Sequence, residues 1–362
     1  MSTTHPPANL LKTKQHFEVL DGLRGIAAIS VVIFHFMEIA VPDYTKSFIA
    51  HAYLAVDFFF CLSGFVIAYA YDAKLEKIGI GSFFKLRLIR LHPLVVIGAV
   101  WGVIAFVIDP FSDLWKNYAN KLWLLLISGC TMIPYPIVRE RFFNLFHLNP
   151  PTWSLFWEYI ANVVYALVLV KIRKHNKLLT LLVVISAALL FYEAKAATNL
   201  SVGWSGGTFW GGAMRASFSF LAGILIFRTG FNIKSKLGFP GVAVLLFISF
   251  LIPYSDNTNW FAEPLIVVFY LPLIVALGVG AGLTSRFEKL CIWSGEVSYP
   301  LYMIHYPFIW LFMSYVEKFK PSLSEMTWII VIGTALLILL AYAVLKLLDE
   351  PIRKLLRKKF VG

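Results

Sequence analysis

Residues 20–36 read LDGLRGIAAISVVIFHF, a mostly apolar stretch that carries the ionisable side chains of Arg24 and His35 beyond Asp21 at its start. Ionisable side chains are costly inside a membrane-spanning helix and usually mark a binding site or a transport path. The eleven residues from Arg24 to His35 are close to three helical turns and rise about 16 Å, so both side chains point in nearly the same direction. We therefore predict that Arg24 and His35 face one cavity.

The composition around this stretch is that of a polytopic membrane protein. The chain is 59% hydrophobic and 14% charged, against about 45–50% and about 25% in soluble domains. The net charge of +12 comes from short basic clusters between apolar runs, which orient a membrane protein, so we expect no nucleic-acid binding. Cys61, Cys130 and Cys291 lie in apolar stretches without metal-ligand spacing, so we expect no disulfide, metal or bound cofactor.

The apolar runs predict an all-α bundle of about ten transmembrane helices. They lie at 19–40, 50–71, 92–109, 153–170, 178–193, 208–228, 239–254, 262–283, 292–315 and 326–348. An eleventh run at 122–134 is short and ends in proline. Counting it as a crossing would place the basic segment 171–177 outside, against the positive-inside tendency. We therefore interpret 122–134 as re-entrant or interfacial, with both termini cytoplasmic.

This topology divides the chain into three parts. Residues 1–18 form a cytoplasmic N-terminal segment, residues 19–348 form the membrane domain, and residues 349–362 form a basic cytoplasmic tail.

Two arginines precede the third span in FFKLRLIRLHP (83–93). Arg87 and Arg90 stand three residues apart and would project from one face of a helix. Two guanidinium groups on one face suit phosphate. They also fit simple positive-inside anchors.

Further polar side chains fall inside or beside other spans. Asp57 lies near the external end of the second span, and Glu158 lies about one turn into the fourth, in PTWSLFWEYIANVVY (151–165). We expect a carboxylate at the depth of Glu158 to be protonated or to have a partner such as His35 or an arginine. Arg215 would either neutralise a substrate or pair with Glu158. The alternative is a purely structural ion pair between helices.

Aromatic and polar residues near the ends of spans suggest an acceptor surface. Trp153 and Trp157 fit either an interfacial aromatic belt or a surface for stacking sugars. In SYPLYMIHYPFI (298–309), Ser298, Tyr302 and His305 would form one polar stripe if Pro300 does not break the helix. We expect Tyr302 and His305 to support the site.

These blocks together resemble the acyltransferase-3 family of integral-membrane acyltransferases. The matching blocks are 20–36, 55–71, 83–93, 151–165 and 298–309. The resemblance implies a bundle of about ten spans that moves an acyl group, commonly acetyl from acetyl-CoA, onto a hydroxyl group. It assigns the family's critical arginine to Arg24, its essential histidine to His35 and its Arg-x-x-Arg pair to Arg87 and Arg90. Larger relatives carry a fused extracytoplasmic domain that is not found here, so we expect the chain to finish the transfer alone or with a separate extracytoplasmic partner.

The leading hypothesis is a membrane O-acyltransferase of the bacterial cytoplasmic membrane. Acyl-CoA would bind Arg87 and Arg90 from the cytoplasm. Arg24 would hold phosphate, pair with Asp21 three residues earlier or stabilise the oxyanion. His35 would act as general base or acyl carrier, oriented by Glu158. The acceptor would be a cell-surface glycan, a lipid-linked sugar or a small molecule. The alternative is a transporter or flippase for a glycan or lipid-linked sugar.

Overall fold

A computed structural model describes residues 17–360, which form α-helices joined by loops and contain no β-strand. The predicted all-α bundle is confirmed, while residues 1–16 and 361–362 of the predicted terminal segments lie outside the described part. The α-helices are α1 (Glu18–Ala40), α2 (Ala55–Tyr71), α3 (Leu75–Ile78), α4 (Ile80–Val107), α5 (Leu122–Thr131), α6 (Thr152–Val164), α7 (Asn176–Ala197), α8 (Phe209–Thr229), α9 (Gly238–Phe250), α10 (Asn259–Leu265), α11 (Leu271–Gly280), α12 (Ser285–Ile304), α13 (Tyr306–Phe319), α14 (Leu323–Val344) and α15 (Glu350–Phe360).

Within residues 17–360, eight helices are long and apolar enough to cross a membrane. They are Glu18–Ala40, Ala52–Tyr71, Ile80–Val107, Thr152–Leu169, Asn176–Ala197, Gly206–Thr229, Asn259–Gly280 and Leu323–Phe360. The other two predicted spans, 239–254 and 292–315, correspond to the 13-residue helix α9 and to the pair α12 and α13. Thirteen residues rise only about 20 Å, which is short of the hydrocarbon thickness.

The segment predicted to be re-entrant or interfacial contains the helix α5. Its ten residues rise about 15 Å, half of what a crossing needs. The helix packs against α4. Its length agrees with the interpretation of 122–134 as a segment that does not cross.

The helix that contains Pro300 continues through this proline and is interrupted at His305. Pro300 lies inside α12, which ends at Ile304, and α13 begins at Tyr306 with Pro307 in its first turn. Proline has no backbone N–H and its ring displaces the preceding turn, so helices commonly end just before it. Ser298 and Tyr302 therefore share α12, and His305 lies at the junction between the two helices.

Three π-helical segments widen otherwise regular helices, at Tyr165–Leu169, Ile266–Tyr270 and Leu345–Asp349. Such segments often occur at functional sites or beside helix irregularities. The third joins α14 to α15, so one helix runs from Leu323 to Phe360. The first residues of the predicted tail are thus a continuation of the last helix.

The helices α2 and α8 approach each other closely because each has a glycine at the contact. A Cβ atom at Gly64 would lie 2.1 Å from the Phe220 carbonyl oxygen, and one at Gly223 would lie 1.9 Å from that of Cys61. No side chain fits at either position, as is common where membrane helices pack. This contact fixes α2 beside α8.

Candidate active site

Two adjoining cavities lie inside the bundle. We name the larger one, about 340 Å³, the arginine cavity. It is lined by five arginines, namely Arg24, Arg87, Arg90, Arg353 and Arg357. The smaller one, about 260 Å³, is the histidine cavity, and its lining includes His35, Glu38 and several aromatic rings.

Arg24 and His35 do not face one cavity. Arg24 lines the arginine cavity and His35 lines the histidine cavity, although both extend from α1. Val56 and Tyr302 line both cavities, so the cavities meet at these two side chains. The separation of about 16 Å along α1 is large enough for other helices to place side chains between the two positions.

The carboxylate partner of His35 is Glu38, one turn further along α1. The Nδ1 atom of His35 lies 3.2 Å from Oε1 of Glu38, and both side chains are 19% exposed. The hydroxyl groups of Tyr44 and Tyr306 donate to the same carboxylate at 3.4 Å and 3.3 Å. A proton held on Nδ1 by Glu38 leaves the lone pair of Nε2 free to accept a proton. Glu38 was not predicted, although its three-residue spacing from His35 is the signal that could have identified it.

His305 packs directly on His35. The two rings are stacked with centroids 5.4 Å apart and an angle of 21° between their planes. The Nδ1 atom of His305 lies 3.1 Å and 2.9 Å from the carbonyl oxygens of Leu301 and Tyr302, and a proton on Nδ1 satisfies both. The ring is fully buried, so His305 fixes one face of His35.

Glu158 does not orient His35. Its carboxylate accepts hydrogen bonds from Arg87 at 2.7 Å and from Ser63 at 2.9 Å, and it lines the arginine cavity. The predicted contact with the histidine is therefore wrong, because α4 brings an arginine within reach of Glu158 while His35 lines the other cavity.

The two arginines of the Arg-x-x-Arg pair have different partners. Arg87 is buried and bound to Glu158. Arg90 is exposed in the arginine cavity and forms no ion pair with any carboxylate among residues 17–360. Arg90 is thus available to an anionic ligand.

Arg24 is held by contacts with α12. Its Nε donates to the Ser298 hydroxyl at 3.0 Å, and its Nη2 donates to the Gly295 carbonyl at 2.7 Å. Asp21 lies 2.9 Å from Nη2. Arg24 therefore has a fixed position at the edge of the arginine cavity.

Asp57 and Arg215 form a fully buried ion pair between α2 and α8. Their closest atoms are 2.6 Å apart, and the side chains are 0% and 1% exposed. The guanidinium group also donates to the carbonyl oxygens of Tyr53 and Val202 and lies over the Trp153 ring at 5.3 Å. The predicted pairing of Arg215 with Glu158 is wrong, because Asp57 is its partner. The pair forms part of the wall of the histidine cavity, which Arg215 lines.

Tyr302 separates the two cavities. Its hydroxyl lies 2.8 Å from the hydroxyl of Ser154, which donates at 3.0 Å to the Pro151 carbonyl. The tyrosine ring contacts His305. Tyr302 thus lies where the two cavities adjoin.

The two predicted acceptor tryptophans lie in different surroundings. Trp153 lines the histidine cavity, together with Trp204 and Trp310. Trp157 lines neither cavity and packs against Phe156, Phe209 and Trp210. The two tryptophans are equally buried, but Trp157 lies one helical turn further along α6, beyond the lining of the histidine cavity. Trp204 and Trp310 instead complete the aromatic wall.

The described residues therefore combine an arginine-rich cavity with a hydrogen-bonded histidine in the next one. Arginines bind phosphate through charge-assisted hydrogen bonds. A neutral imidazole oriented by a carboxylate can remove a proton from a hydroxyl group or attack an activated carbonyl carbon. This arrangement suits the transfer of a group from a phosphate-bearing donor.

Comparison with known proteins agrees with this chemistry. A family model described as an acyltransferase domain matches residues 17–346. The chain is 25% identical over 92% of its length to the O-acetyltransferase OatA of Staphylococcus aureus, covering 57% of that protein. It is 26% identical over 94% of its length to the peptidoglycan O-acetyltransferase OatA of Listeria monocytogenes, covering 56%. The chain thus spans a little over half the length of these two relatives.

A third relative is Protein 2 in picA locus of Rhizobium radiobacter, which is 38% identical over 42% of this chain and 82% of its own length. No solved structure matches. Because the family model matches most of a chain rich in membrane-spanning helices, the chain belongs to the acyltransferase-3 family of integral-membrane acyltransferases.

Proposed function

We propose that this protein is an O-acetyltransferase that takes an acetyl group from acetyl-CoA and transfers it to a hydroxyl group of a glycan, a lipid-linked sugar or a related small molecule. The observation that carries the proposal is the contact between the arginine cavity and the histidine cavity at Tyr302. One cavity suits the phosphates of the donor, and the adjoining one holds the reactive imidazole.

The donor enters through the arginine cavity. Arg90 has no carboxylate partner there, so its guanidinium group binds a phosphate without first breaking an ion pair. The charge distribution of the sequence assigns the basic helix ends on this cavity to the cytoplasm. Acetyl-CoA is a cytosolic metabolite, and the bacterial cytoplasmic membrane is the compartment that fits this orientation.

The reaction needs one proton transfer and one exchange of bonds at the acetyl carbon. The Nε2 atom of His35 takes the hydroxyl proton, the acceptor oxygen forms a bond to the carbonyl carbon, and the carbon–sulfur bond breaks. The CoA thiolate then takes the proton from the imidazolium, and the Glu38 carboxylate stabilises the imidazolium in between. In a second route Nε2 of His35 attacks the acetyl carbon and the CoA thiolate leaves. The acceptor oxygen then forms a bond to that carbon, the carbon–nitrogen bond breaks, and the thiolate takes the hydroxyl proton.

The acceptor side has an aromatic wall. Trp153, Trp204 and Trp310 line the histidine cavity, and flat apolar rings with polar edges suit the faces of sugar rings. The histidine cavity lies on the side that the sequence assigns to the exterior. A separate extracytoplasmic transferase is the partner to expect if the acetyl group is passed on.

A single assay separates this proposal from a transporter. The purified protein is incubated with labelled acetyl-CoA and a panel of glycans and lipid-linked sugars. We expect release of CoA with label on one acceptor class. Uptake of a glycan into vesicles without consumption of thioester would identify a transporter instead.

The substitution Arg90→Gln tests the donor site. We expect the Kd for acetyl-CoA to rise by about tenfold, because one charge-assisted hydrogen bond is lost. Isothermal titration calorimetry of the purified protein measures this Kd. Lys85→Gln is the matched control, since Lys85 is on the same helix but lines neither cavity. Equal affinities for both variants would show that Arg90 does not bind the donor.

The substitution Glu38→Gln tests the pairing with His35. We expect kcat to fall by about 10- to 100-fold, because the imidazolium loses a charge-assisted hydrogen bond. The Kd for acetyl-CoA should stay unchanged, because Glu38 does not line the arginine cavity. Glu158→Gln should instead change the Kd for acetyl-CoA and leave kcat nearly unchanged, because Glu158 lines the arginine cavity. A kcat that falls for Glu158→Gln and not for Glu38→Gln would contradict this assignment.

A further inference from the structure

The last helix presents one face to the arginine cavity. Leu345, Asp349, Arg353 and Arg357 recur every four residues, and all four line this cavity. Residues four apart lie above one another on a helix. In the row shifted by one position, Glu350 also lines the cavity and pairs with Lys346, whereas Lys354 and Lys358 of α15 do not line it. The basic residues of this helix therefore divide into arginines on the cavity and lysines away from it.

The two arginines on this face are placed differently. Nη2 of Arg353 lies 2.7 Å from the buried carboxylate of Asp349, and its Nε has no hydrogen-bond partner among the described residues. Arg357 is exposed and forms no ion pair with a carboxylate in residues 17–360. Asp349 thus fixes Arg353 beside the cavity, and Arg357 is free to bind an anion.

The cavity is completed by two helices that are distant in sequence. The helix α15 packs against α4, which carries Arg87 and Arg90. Each helix supplies one arginine without a carboxylate partner, Arg90 from α4 and Arg357 from α15. Two uncompensated guanidinium groups on one cavity favour a ligand with negative charge at two places.

We propose that Arg353 and Arg357 form a second phosphate site, distinct from the Arg87 and Arg90 site, that binds the 3′-phosphate on the ribose of CoA. The proposal rests on the proposed function, since it takes CoA as the donor. CoA carries a diphosphate and a separate 3′-phosphate, so a cavity that binds its whole nucleotide end meets phosphate at two positions. The match to the family model ends at residue 346, so this site lies beyond the matched region.

An anionic lipid headgroup offers the same phosphate chemistry. A basic helix with an apolar face also suits the membrane surface. The position of Arg353 and Arg357 on the cavity, with the lysines turned away from it, favours CoA. The lipid composition of the test membrane separates the two sources.

The test compares CoA with 3′-dephospho-CoA. The full chain is placed in nanodiscs of phosphatidylcholine alone, and Kd is measured for both molecules. We expect the unmodified protein to prefer CoA by about tenfold or more. Two variants are compared, the single variant Arg357→Gln and the double variant Arg353→Gln with Arg357→Gln. Both should bind the two molecules equally, at the affinity that the unmodified protein shows for 3′-dephospho-CoA. The control Lys354→Gln with Lys358→Gln should keep the preference.

Each other outcome overturns a defined claim. If both arginine variants keep the preference for CoA, the 3′-phosphate site is wrong and the proposed function stands. If the arginine variants keep the preference for CoA in phosphatidylcholine and differ from the unmodified protein only in nanodiscs that contain anionic lipid, the arginines bind lipid and the proposal is wrong. If the unmodified protein binds neither molecule, acetyl-CoA is not the donor and the proposed function falls. Arg357→Gln leaves the pair of Arg353 and Asp349 intact, so its result does not depend on a folding defect.

Discussion

The variant His35→Ala is expected to bind acetyl-CoA normally and to lose acetyl transfer by about 10²- to 10⁴-fold, the range that general acid–base catalysis contributes. His35 lines the histidine cavity and not the arginine cavity. Removing its ring therefore leaves the phosphate-binding arginines in place. The loss should appear in kcat, because the base or nucleophile acts only in the chemical step.

Two measurements on one preparation decide this prediction. Titration with acetyl-CoA gives the Kd, and label transfer to the acceptor gives kcat. His92→Ala is the matched control, because His92 is also in a membrane helix but lines neither cavity. Full transfer by His35→Ala would remove this residue from the mechanism.

Labelling of the unmodified protein separates the two chemical routes. If the reaction passes through acetyl-histidine, unmodified protein mixed with labelled acetyl-CoA in the absence of acceptor retains label on His35. Label that appears only on the acceptor favours direct transfer with His35 as the base.

The sequence predicted the helical bundle, since hydrophobic runs and residue spacing determine helices and their faces, and most of the predicted site residues line one of the two cavities. Arg87 and Arg90 illustrate this, because their three-residue spacing placed both on one cavity. The spacing of Arg24 and His35 placed them on one face of α1 but not in one cavity. Helical spacing carries no information about Tyr302, which another helix places between the cavities.

Partners across helices were the part that the sequence did not predict. The sequence left His35 or any of several arginines as possible partners of Glu158. Only the packing of α4 on its neighbours selects Arg87. The roles that we propose for Arg353 and Arg357 were not predicted either, because a basic tail beyond the last apolar run resembles an ordinary cytoplasmic anchor. Glu38 differs, since it is one turn from His35 on the same helix and its contact is local.

The variant Asp57→Ala is expected to lower the free energy of unfolding by about 3–5 kcal/mol, the cost of leaving one member of a buried ion pair without its partner. Arg215 would keep its hydrogen bonds to two carbonyl oxygens but would hold an uncompensated charge in a site that is 1% exposed. Denaturant titration in detergent micelles measures the change. Asp113→Ala is the control, since its ion pair with Lys116 is exposed and contributes about 0–1 kcal/mol.

A double variant without either charge shows whether the unpaired charge of Arg215 causes this loss of stability. Asp57→Leu with Arg215→Met removes both charges and keeps apolar volume, so it should be less destabilised than Asp57→Ala alone. Equal losses for Asp57→Ala and Asp113→Ala would contradict the buried pair. Because Arg215 also lies over Trp153, the double variant should still show altered acceptor preference. The pair of Asp57 and Arg215 would then support both the contact of α2 with α8 and the aromatic wall of the histidine cavity.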